Sequence, residues 1–178
     1  MEKNRQGLLH IYCGDGKGKT SAAVGMAVRA AGCGMKVLVI RFLKTENSGE
    51  VEVLRSIPGI TVPPCERTFG FVFRMTEEQK QEAALYYQSR FEAATKEAVQ
   101  GQYDLLILDE ILASCNYGMV RETSVVEFLQ NRPEKLEVVL TGRNPSETFL
   151  ELADYVSEIC MRRHPYEKGI PARRGIEF

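Results

Sequence analysis

The chain has 178 residues, of which 44% are hydrophobic and 26% are charged, and its formal net charge is -1. Such a composition is typical of one globular domain with a core of its own, and it excludes a global charge bias toward nucleic acids or anionic membranes. No segment approaches the ~18 consecutive apolar residues that a membrane span needs, and the N-terminal stretch has no signal-peptide core. We therefore expect a single cytoplasmic domain over residues 1–178, with no membrane partner and no nucleic-acid partner.

The cysteines are odd in number and widely spaced, and none of them forms a C-x-x-C pair; they are Cys13, Cys33, Cys65, Cys115 and Cys160. This distribution argues against both a disulfide framework and a zinc cluster. We expect reduced cysteines, most of them buried.

The first half of the chain predicts a strand, a glycine-rich loop, a helix and a second strand. Residues 8–12 form a short apolar run, residues 20–31 form an alanine-rich helix, and residues 36–43 are apolar and rich in β-branched side chains. A run of this last kind is typical of a strand that is covered on both faces. Residues 44–75 contain several prolines and glycines, so they predict a loop-rich excursion with at most a short helix near residues 51–55.

The second half begins with the longest predicted helix. Thr76 and Gln79 fit a capping box, and apolar residues then recur in steps of three and four until Gly101 ends the helix. The remaining predicted elements are strands at residues 105–108, 138–140 and 155–159 and helices near residues 123–131 and 146–153. This alternation predicts an α/β domain with a mainly parallel sheet and right-handed crossovers.

The loop after the first strand, CGDGKGKT at residues 13–20, resembles a phosphate-binding loop that lacks its first glycine. In the pattern G-x-x-x-x-G-K-[ST], backbone N–H groups wrap a phosphate, the lysine neutralises it and the hydroxyl binds Mg²⁺. Gly18, Lys19 and Thr20 occupy the last three positions, whereas Cys13 replaces the first glycine.

Two more glycines lie inside this loop, Gly14 and Gly16, and we expect them to supply the flexibility that the first glycine would otherwise give. An apolar strand precedes the loop and a helix follows it, which is the context that the motif needs. The alternative is a turn between strand and helix that binds no ligand.

A second motif, LLILDE, places Asp109 and Glu110 directly after four apolar strand residues. We expect this strand to lie next to the loop strand, where one acid can accept from a Mg²⁺-bound water and the other can orient a nucleophile or a second ligand. Taken alone, an aspartate here is also typical of a helix cap or a turn. Together with the loop, the motif predicts a three-layer P-loop NTPase fold of the RecA-like type, an α/β fold with a mainly parallel central sheet.

Three further features bear on ligand binding. Arg143 follows a later predicted strand, in the segment Thr141-Gly142-Arg143. It either contacts a phosphate or lies solvated in its loop. Phe71 and Phe73 would face the same way in a strand and form an apolar wall against a flat ligand, or else plug the edge of the sheet. The basic C-terminal tail contains glycines and a proline, which favour an ordered loop over a disordered arm.

Four motifs together resemble those of the corrinoid adenosyltransferase family. The loop GDGKGKTSAA is similar to the family's G-[ND]-G-K-G-K-T-[ST]-A-A, which also lacks the first glycine. RFLKTENSGE is similar to the family's lysine-bearing strand, and LLILDE is similar to its acidic strand. The TGR segment and the ending H-x4-G-x2-A-x2-G-I-[DE]-[YF] complete the resemblance. The residues that fit this ending are His164, Gly169, Ala172, Gly175, Ile176, Glu177 and Phe178.

The resemblance implies a group transfer rather than a hydrolysis. ATP would lie across the loop in the direction opposite to that in most P-loop triphosphatases, with its ribose C5′ facing the corrinoid. Co(I) of the reduced corrinoid would attack C5′, form a cobalt–carbon bond and release inorganic triphosphate. Lys17, Lys19 and Thr20, with Mg²⁺, would stabilise the charge that develops on the triphosphate, so no protein nucleophile or general base would be needed.

The resemblance also assigns binding residues. Asp15 and Glu50 would lie near the adenosine, and Arg143 near ATP or the loop. Phe71 and Phe73 match an aromatic pair that displaces the corrinoid's lower axial ligand, which makes Co(II) easier to reduce. The full set of expected contacts is Gly14, Asp15, Gly16, Lys17, Gly18, Lys19, Thr20, Ser21, Glu50 and Arg143 for ATP, and Thr20, Asp109 and Glu110 for Mg²⁺.

The expected partners are ATP, cobalamin or another corrinoid, an electron-donating reductase of the flavodoxin type, and a second copy of the chain in a homodimer. Two other functions also fit the loop. A small kinase or triphosphatase would release ADP, whereas a nucleotide-gated corrinoid-binding module would change its affinity with ATP without consuming it.

Overall fold

The computed structural model describes residues 6–177, so Phe178, the last residue of the C-terminal pattern, lies outside the described residues. The strands are β1 (Leu9–Cys13), β2 (Val37–Arg41), β3 (Ile60–Thr61), β4 (Leu105–Asp109), β5 (Glu137–Thr141) and β6 (Tyr155–Glu158). Within the described residues they form one six-stranded sheet in the spatial order β3-β2-β4-β5-β1-β6. Every pair of neighbouring strands is parallel.

Helices occupy most of the connections between the strands. They are α1 (Lys19–Gly32), α2 (Glu50–Ser56), α3 (Glu77–Gln100), α4 (Ile111–Asn116), α5 (Glu122–Asn131) and α6 (Glu147–Leu152). Two short 3-10 turns, Val72–Arg74 and Pro165–Lys168, lie before α3 and after β6.

Helices cover both faces of the sheet. Every residue of β2 and β4 is buried, and alternate side chains of these strands enter two different hydrophobic clusters. One cluster contains side chains of α1 and α2, among them Ala27 and Leu54. The larger cluster, on the other face, contains side chains of the remaining helices, such as Phe91 and Phe149. This three-layer arrangement confirms the predicted α/β fold of the P-loop NTPase type.

The acidic strand β4 is not the neighbour of the loop strand β1. β5 lies between them and pairs with both, so the expectation that the two motif strands are adjacent is wrong. The crossover through α1 leads from β1 to the distant β2, and β4 and β5 fill the intervening space. Because the strands are parallel, the loop after β1, the acids after β4 and the TGR segment after β5 still meet at one edge of the sheet.

Most of the predicted elements are confirmed, including the helix cap. The Thr76 hydroxyl accepts from the Gln79 N–H, and the Gln79 side chain accepts from the Thr76 N–H. Two elements were not predicted: β3, which has only two residues, and α4, which follows directly after Glu110. No helix among residues 6–177 is long and apolar enough to cross a membrane.

The cysteines are all free thiols, but only Cys13 is buried. Cys33 and Cys160 are exposed, and Cys65 and Cys115 are half-buried, so the expectation of mostly buried cysteines is wrong. Cys33 directly follows α1 as its C-cap residue.

Candidate functional site

The glycine-rich loop joins the end of β1, at Cys13, to the start of α1, at Lys19. Gly18 precedes the helix with a φ of 126°, which side chains other than that of glycine rarely adopt. No side chain caps α1, and its first turn contains no acidic residue. The first N–H groups of the helix therefore remain available to a phosphate.

Gly14 and Gly16 allow the loop to approach another backbone closely. A Cβ atom on Gly14 would lie 2.5 Å from the Ile159 carbonyl oxygen, and one on Gly16 would lie 2.6 Å from it. The Gly16 N–H donates to the same oxygen at 2.7 Å. The two glycines thus allow close packing against Ile159, and Gly14, with a φ of 100°, also uses the flexibility expected from the sequence.

Lys19 is buried, and its ammonium donates to the carbonyl oxygens of Gly14 and Gly16 at 2.8 Å each. Burial lowers the pKa of Lys19, the nearby Glu110 acts in the opposite direction, and the positive charge of Arg143 lowers it further. The lysine spans the loop from inside, so its positive charge lies at the centre of the curved backbone.

Thr20, Asp109 and Lys44 meet at the C-terminal end of the sheet. The Thr20 hydroxyl lies 3.0 Å from Asp109 Oδ1, and Lys44 Nζ lies 2.8 Å from both Thr20 Oγ1 and Asp109 Oδ2. A hydroxyl and a carboxylate are the hard oxygen ligands that Mg²⁺ prefers, and the ammonium stands where a cation would bind between them. These residues therefore fit Mg²⁺.

Within residues 6–177 no group of three or more His, Cys, Asp or Glu side chains could hold a metal. A Mg²⁺ ion at Thr20 and Asp109 would therefore take most of its ligands from phosphates and water, as is usual for this ion in nucleotide sites.

Thr141, at the end of the intervening strand β5, orients both acidic residues. Its fully buried hydroxyl donates to Asp109 Oδ1 at 2.7 Å and accepts from the Glu110 N–H at 2.9 Å. Glu110 has left-handed backbone angles, with a φ of 62°. Burial raises the pKa of the Glu110 carboxyl, and the neighbouring Asp109 charge raises it further. The TGR segment was singled out for Arg143, and the role of its threonine was missed.

Arg143 approaches the loop from a tight turn. Its guanidinium Nη2 lies 3.5 Å from the Asp15 carbonyl oxygen. The Asn116 side-chain amide donates to the carbonyl oxygens of Arg143 and Asn144 at 2.9 and 3.1 Å, and so holds this turn in place. The Asp15 carboxylate accepts from the Met161 N–H at 2.8 Å, and this hydrogen bond lowers the pKa of Asp15.

A cavity of about 850 Å³ opens above the loop. The predicted residues that line it are Asp15, Gly16, Lys17, Gly18, Lys19, Thr20, Ser21, Glu50, Glu110 and Arg143. Gly14 and Asp109 do not line it, but each bonds to a residue that does. Among the other lining residues, Lys44 and His164 belong to segments that the family resemblance had singled out without giving these side chains a role. The size of the cavity suits a nucleotide.

The C-terminal tail forms one wall of this cavity through Gly175, Ile176 and Glu177. The Glu177 carboxylate contacts Lys17 Nζ at 3.3 Å and accepts from the backbone and the guanidinium of Arg173. These bonds, chiefly those from Arg173, lower the pKa of Glu177 to about 2. The tail contains the 3-10 turn Pro165–Lys168, and through Glu177 and Lys17 it contacts the glycine-rich loop directly.

Phe71 and Phe73 lie outside the lining of the cavity; Phe73 is on the 3-10 turn before α3, and Phe71 directly precedes that turn. No strand forms at this place within the loop-rich stretch, but the two rings still stack, with centroids 5.4 Å apart. They are 65% and 79% exposed, which excludes the alternative that they plug the edge of the sheet. Phe69 packs instead against Tyr86 and Tyr87 of α3. The stacked pair forms an exposed apolar surface.

Comparison with known proteins agrees with this geometry. Residues 5–178 match the family model described as ATP:corrinoid adenosyltransferase BtuR/CobO/CobP. A protein of Pseudomonas aeruginosa named corrinoid adenosyltransferase is 35% identical over 181 residues, covering 99% of this chain and 86% of the relative. A protein of Escherichia coli strain K12 with the same name is 32% identical over 177 residues, covering 99% of this chain and 88% of the relative.

A similar relative from Sinorhizobium sp. carries that name too, with 32% identity over 177 residues, 98% of this chain and 82% of the relative. The match extends over almost the whole chain and favours a transferase over a kinase or a binding module. The chain belongs to the ATP:corrinoid adenosyltransferase family of enzymes.

Proposed function

We propose that this enzyme, as one domain over residues 1–178, transfers the 5′-deoxyadenosyl group of ATP to the Co(I) of a corrinoid. Co(I) supplies the electron pair of the new cobalt–carbon bond, the C5′–O bond breaks, and inorganic triphosphate leaves with that bond's electron pair. The observation that carries the proposal is the cavity, in which a helix N-terminus, Lys17, Lys19 and Arg143 surround one space.

The charged groups that line the cavity are suited to stabilise the triphosphate as a leaving group. Lys19 already points into the loop, 2.8 Å from two backbone carbonyl oxygens, and a phosphate placed there would replace those oxygens as its acceptor. Arg143 and the N–H groups at the start of α1 would meet further oxygens of the same triphosphate. Because these charges are held by the fold, they stabilise the developing negative charge with little rearrangement.

Mg²⁺ belongs to the proposal as well. Thr20 and Asp109 would hold it, with Glu110 as the neighbouring acid in the cavity, and when bound it would supply additional positive charge to the triphosphate. Thr141 would keep the Asp109 carboxylate in place for this purpose, since its hydroxyl donates to Oδ1 at 2.7 Å.

The adenosine would lie toward Asp15 of the loop and Glu50 at the start of α2, both of which line the cavity. This corresponds to the reversed direction of ATP that the family resemblance implies, and it would leave C5′ accessible to the corrinoid. Phe71 and Phe73 would contact the corrinoid, because an exposed stacked pair of aromatic rings suits a large flat ligand. A flavodoxin-type reductase as electron donor and a homodimer complete the proposal.

One assay tests this function directly. The protein is supplied with ATP, Mg²⁺ and chemically reduced cobalamin, and the light-sensitive spectrum of an alkyl-cobalt product is followed together with inorganic triphosphate. The proposal expects both products in equal amounts. Release of ADP without an alkylcorrinoid would indicate a kinase or triphosphatase, and ATP-dependent corrinoid binding without turnover would indicate a binding module.

A further inference from the structure

Lys44 lies between two residues of the proposed metal site. Its ammonium contacts Thr20 Oγ1 and Asp109 Oδ2 at 2.8 Å each, and its side chain is 21% exposed, whereas that of Asp109 is 2% exposed. The lysine also lines the cavity above the loop. One ammonium therefore neutralises a buried carboxylate at the place where the nucleotide's cation would bind.

The backbone aims Lys44 at this place. Leu43, just before it, has a φ of 54°, a left-handed conformation that is uncommon for a residue with a branched side chain. On the N-terminal side, the Phe42 N–H donates to the Asp109 carbonyl oxygen at 2.9 Å. On the C-terminal side, the buried Arg41 donates to the Thr45 carbonyl oxygen at 2.8 Å. Such a conformation persists only where the surroundings enforce it, and it is typical of functional sites.

The position of this ammonium conflicts with that of Mg²⁺. Both cations require Thr20 Oγ1 and the Asp109 carboxylate, and two positive charges a few ångströms apart repel each other in a partly buried site. Lysine has a flexible stem of four methylene groups and a compact charge, so it can exchange one anionic partner for another nearby. Two alternative anions would be within the same cavity: the Glu110 carboxylate, on which the Lys44 charge already acts, and a bound triphosphate, which would carry several negative charges and would therefore attract the ammonium more strongly.

We propose that Lys44 is a further triphosphate-binding residue of this enzyme, held on Asp109 and Thr20 until Mg²⁺ binds and then transferred to the triphosphate. The inference rests on the proposed function only in taking the cavity as the triphosphate site. Lys44 would balance the charge of the site in both positions. Before Mg²⁺ binds, its ammonium compensates the negative charge of Asp109; afterwards, it compensates part of the negative charge of the triphosphate.

Binding of inorganic triphosphate, measured by calorimetry with and without Mg²⁺, tests the proposal without any turnover. With Mg²⁺, Lys44→Met should weaken binding at least tenfold, and Lys44→Arg, which keeps the charge, should weaken it less. The matched control is Lys36→Met, because Lys36 lies at the opposite end of β2, where its ammonium donates to the Gly101 carbonyl oxygen. This control should bind as the wild type does.

A second pair of variants separates contact with triphosphate from mere support of Asp109. Asp109→Asn releases Lys44, so this variant should bind Mg²⁺-free triphosphate more tightly than the wild type. The double variant Asp109→Asn with Lys44→Met should lose that gain, and its affinity for triphosphate should be at least tenfold lower than that of Asp109→Asn alone.

Equal affinities of Asp109→Asn and the double variant would overturn the proposal, as would wild-type affinity of Lys44→Met with Mg²⁺. The experiment measures only the binding of triphosphate, so it can support the role of Lys44 even if the enzyme forms no alkyl-cobalt product. Failure of this inference and failure of the proposed function are therefore distinguishable.

Discussion

Thr141 donates its hydroxyl hydrogen to Asp109 Oδ1 at 2.7 Å, from a side chain without exposed surface. The same hydroxyl accepts from the Glu110 N–H at 2.9 Å. Thr20, at the start of α1, contacts the same Asp109 oxygen at 3.0 Å, so Asp109 joins the strand β5 to the helix that follows the glycine-rich loop.

Thr141→Val removes this connection while keeping the shape of the side chain. The Glu110 N–H loses its acceptor, so we expect a loss of about 1–3 kcal/mol in the free energy of unfolding, measured with urea. Mg²⁺-dependent ATP binding should also weaken, because Asp109 loses a donor that orients it. Thr141→Ser keeps the hydroxyl and should retain the Mg²⁺ dependence; a Thr141→Val protein with wild-type Mg²⁺-dependent affinity would contradict this role.

Gly16→Ala tests the close packing of the loop. The new Cβ would lie 2.6 Å from the Ile159 carbonyl oxygen, a distance at which backbone must move. We expect loss of ATP binding by calorimetry and a lower melting temperature. The matched control is Gly25→Ala in α1, where nothing lies within 4 Å of the new Cβ, and this exposed helical change should stabilise by about 0.5–1 kcal/mol. If both variants bind ATP normally, the loop does not depend on this contact.

Lys19→Ala tests the electrostatic role of the loop lysine. If its charge stabilises the leaving triphosphate, removing it should cost on the order of 3 kcal/mol of transition-state stabilisation, a fall in kcat of about 10²–10³-fold. The measurement is the initial rate of alkyl-cobalt formation at saturating ATP, with Lys36→Ala as the control. Turnover near the wild-type rate would rule out this assignment.

Phe73→Ala separates cobalt chemistry from simple packing. If the aromatic pair acts on the corrinoid's lower ligand, the variant should lose more activity in assays that start from Co(II) than in assays that start from Co(I). Leu85→Ala is a suitable control, since Leu85 is an exposed apolar residue at 75% exposure on α3 and lies outside the cavity lining. Equal losses from both starting states would point to packing alone.

The contacts of the Glu177 carboxylate in the C-terminal tail depend on pH. Its pKa is lowered from the ordinary value of 4.5 to about 2, chiefly by hydrogen bonds from Arg173 and to a smaller extent by Lys17. A lowered acid pKa means that the contacts are fully present above the ordinary value and are lost as the pH falls through about 2. Glu177 should therefore keep its charge, and with it the contact to Lys17 of the loop, throughout the neutral and mildly acidic range.

NMR titration of the Glu177 carboxyl carbon measures this effect. Arg173→Gln should raise the pKa of Glu177 toward its ordinary value, and Lys17→Gln should raise it less, because Arg173 supplies the larger part of the stabilisation. A pKa that stays near 2 in Arg173→Gln would show that other groups hold the carboxylate.

Local sequence patterns were sufficient for most elements of the fold. The capping box at Thr76 and the apolar runs before the loop and before Asp109 are short-range signals, and the structure places a helix and two strands there. α4 was missed because ILASCN has neither a capping side chain nor an acidic first turn, and its N-cap Glu110 has left-handed backbone angles.

The order of the strands could not be read from the sequence, because parallel crossovers allow several orders for the same sequence of elements. The contacts of Thr141 and Lys44 with Asp109 depend on that order, so they could not be predicted either. The loop residues could be assigned, since their motif is continuous, whereas the need for glycine at positions 14 and 16 arises from Ile159, far along the chain.

The placement of β1 also has a consequence for the time course of folding. Both of its neighbours, β5 and β6, lie more than a hundred residues further along the chain, and the loop after β1 takes its shape against Ile159 beyond β6. Contacts between residues so far apart in sequence form slowly, because the chain loses conformational entropy before the favourable contact energy is gained. We expect refolding protein to regain helical signal first and nucleotide binding last, with binding appearing only when β1 enters the sheet.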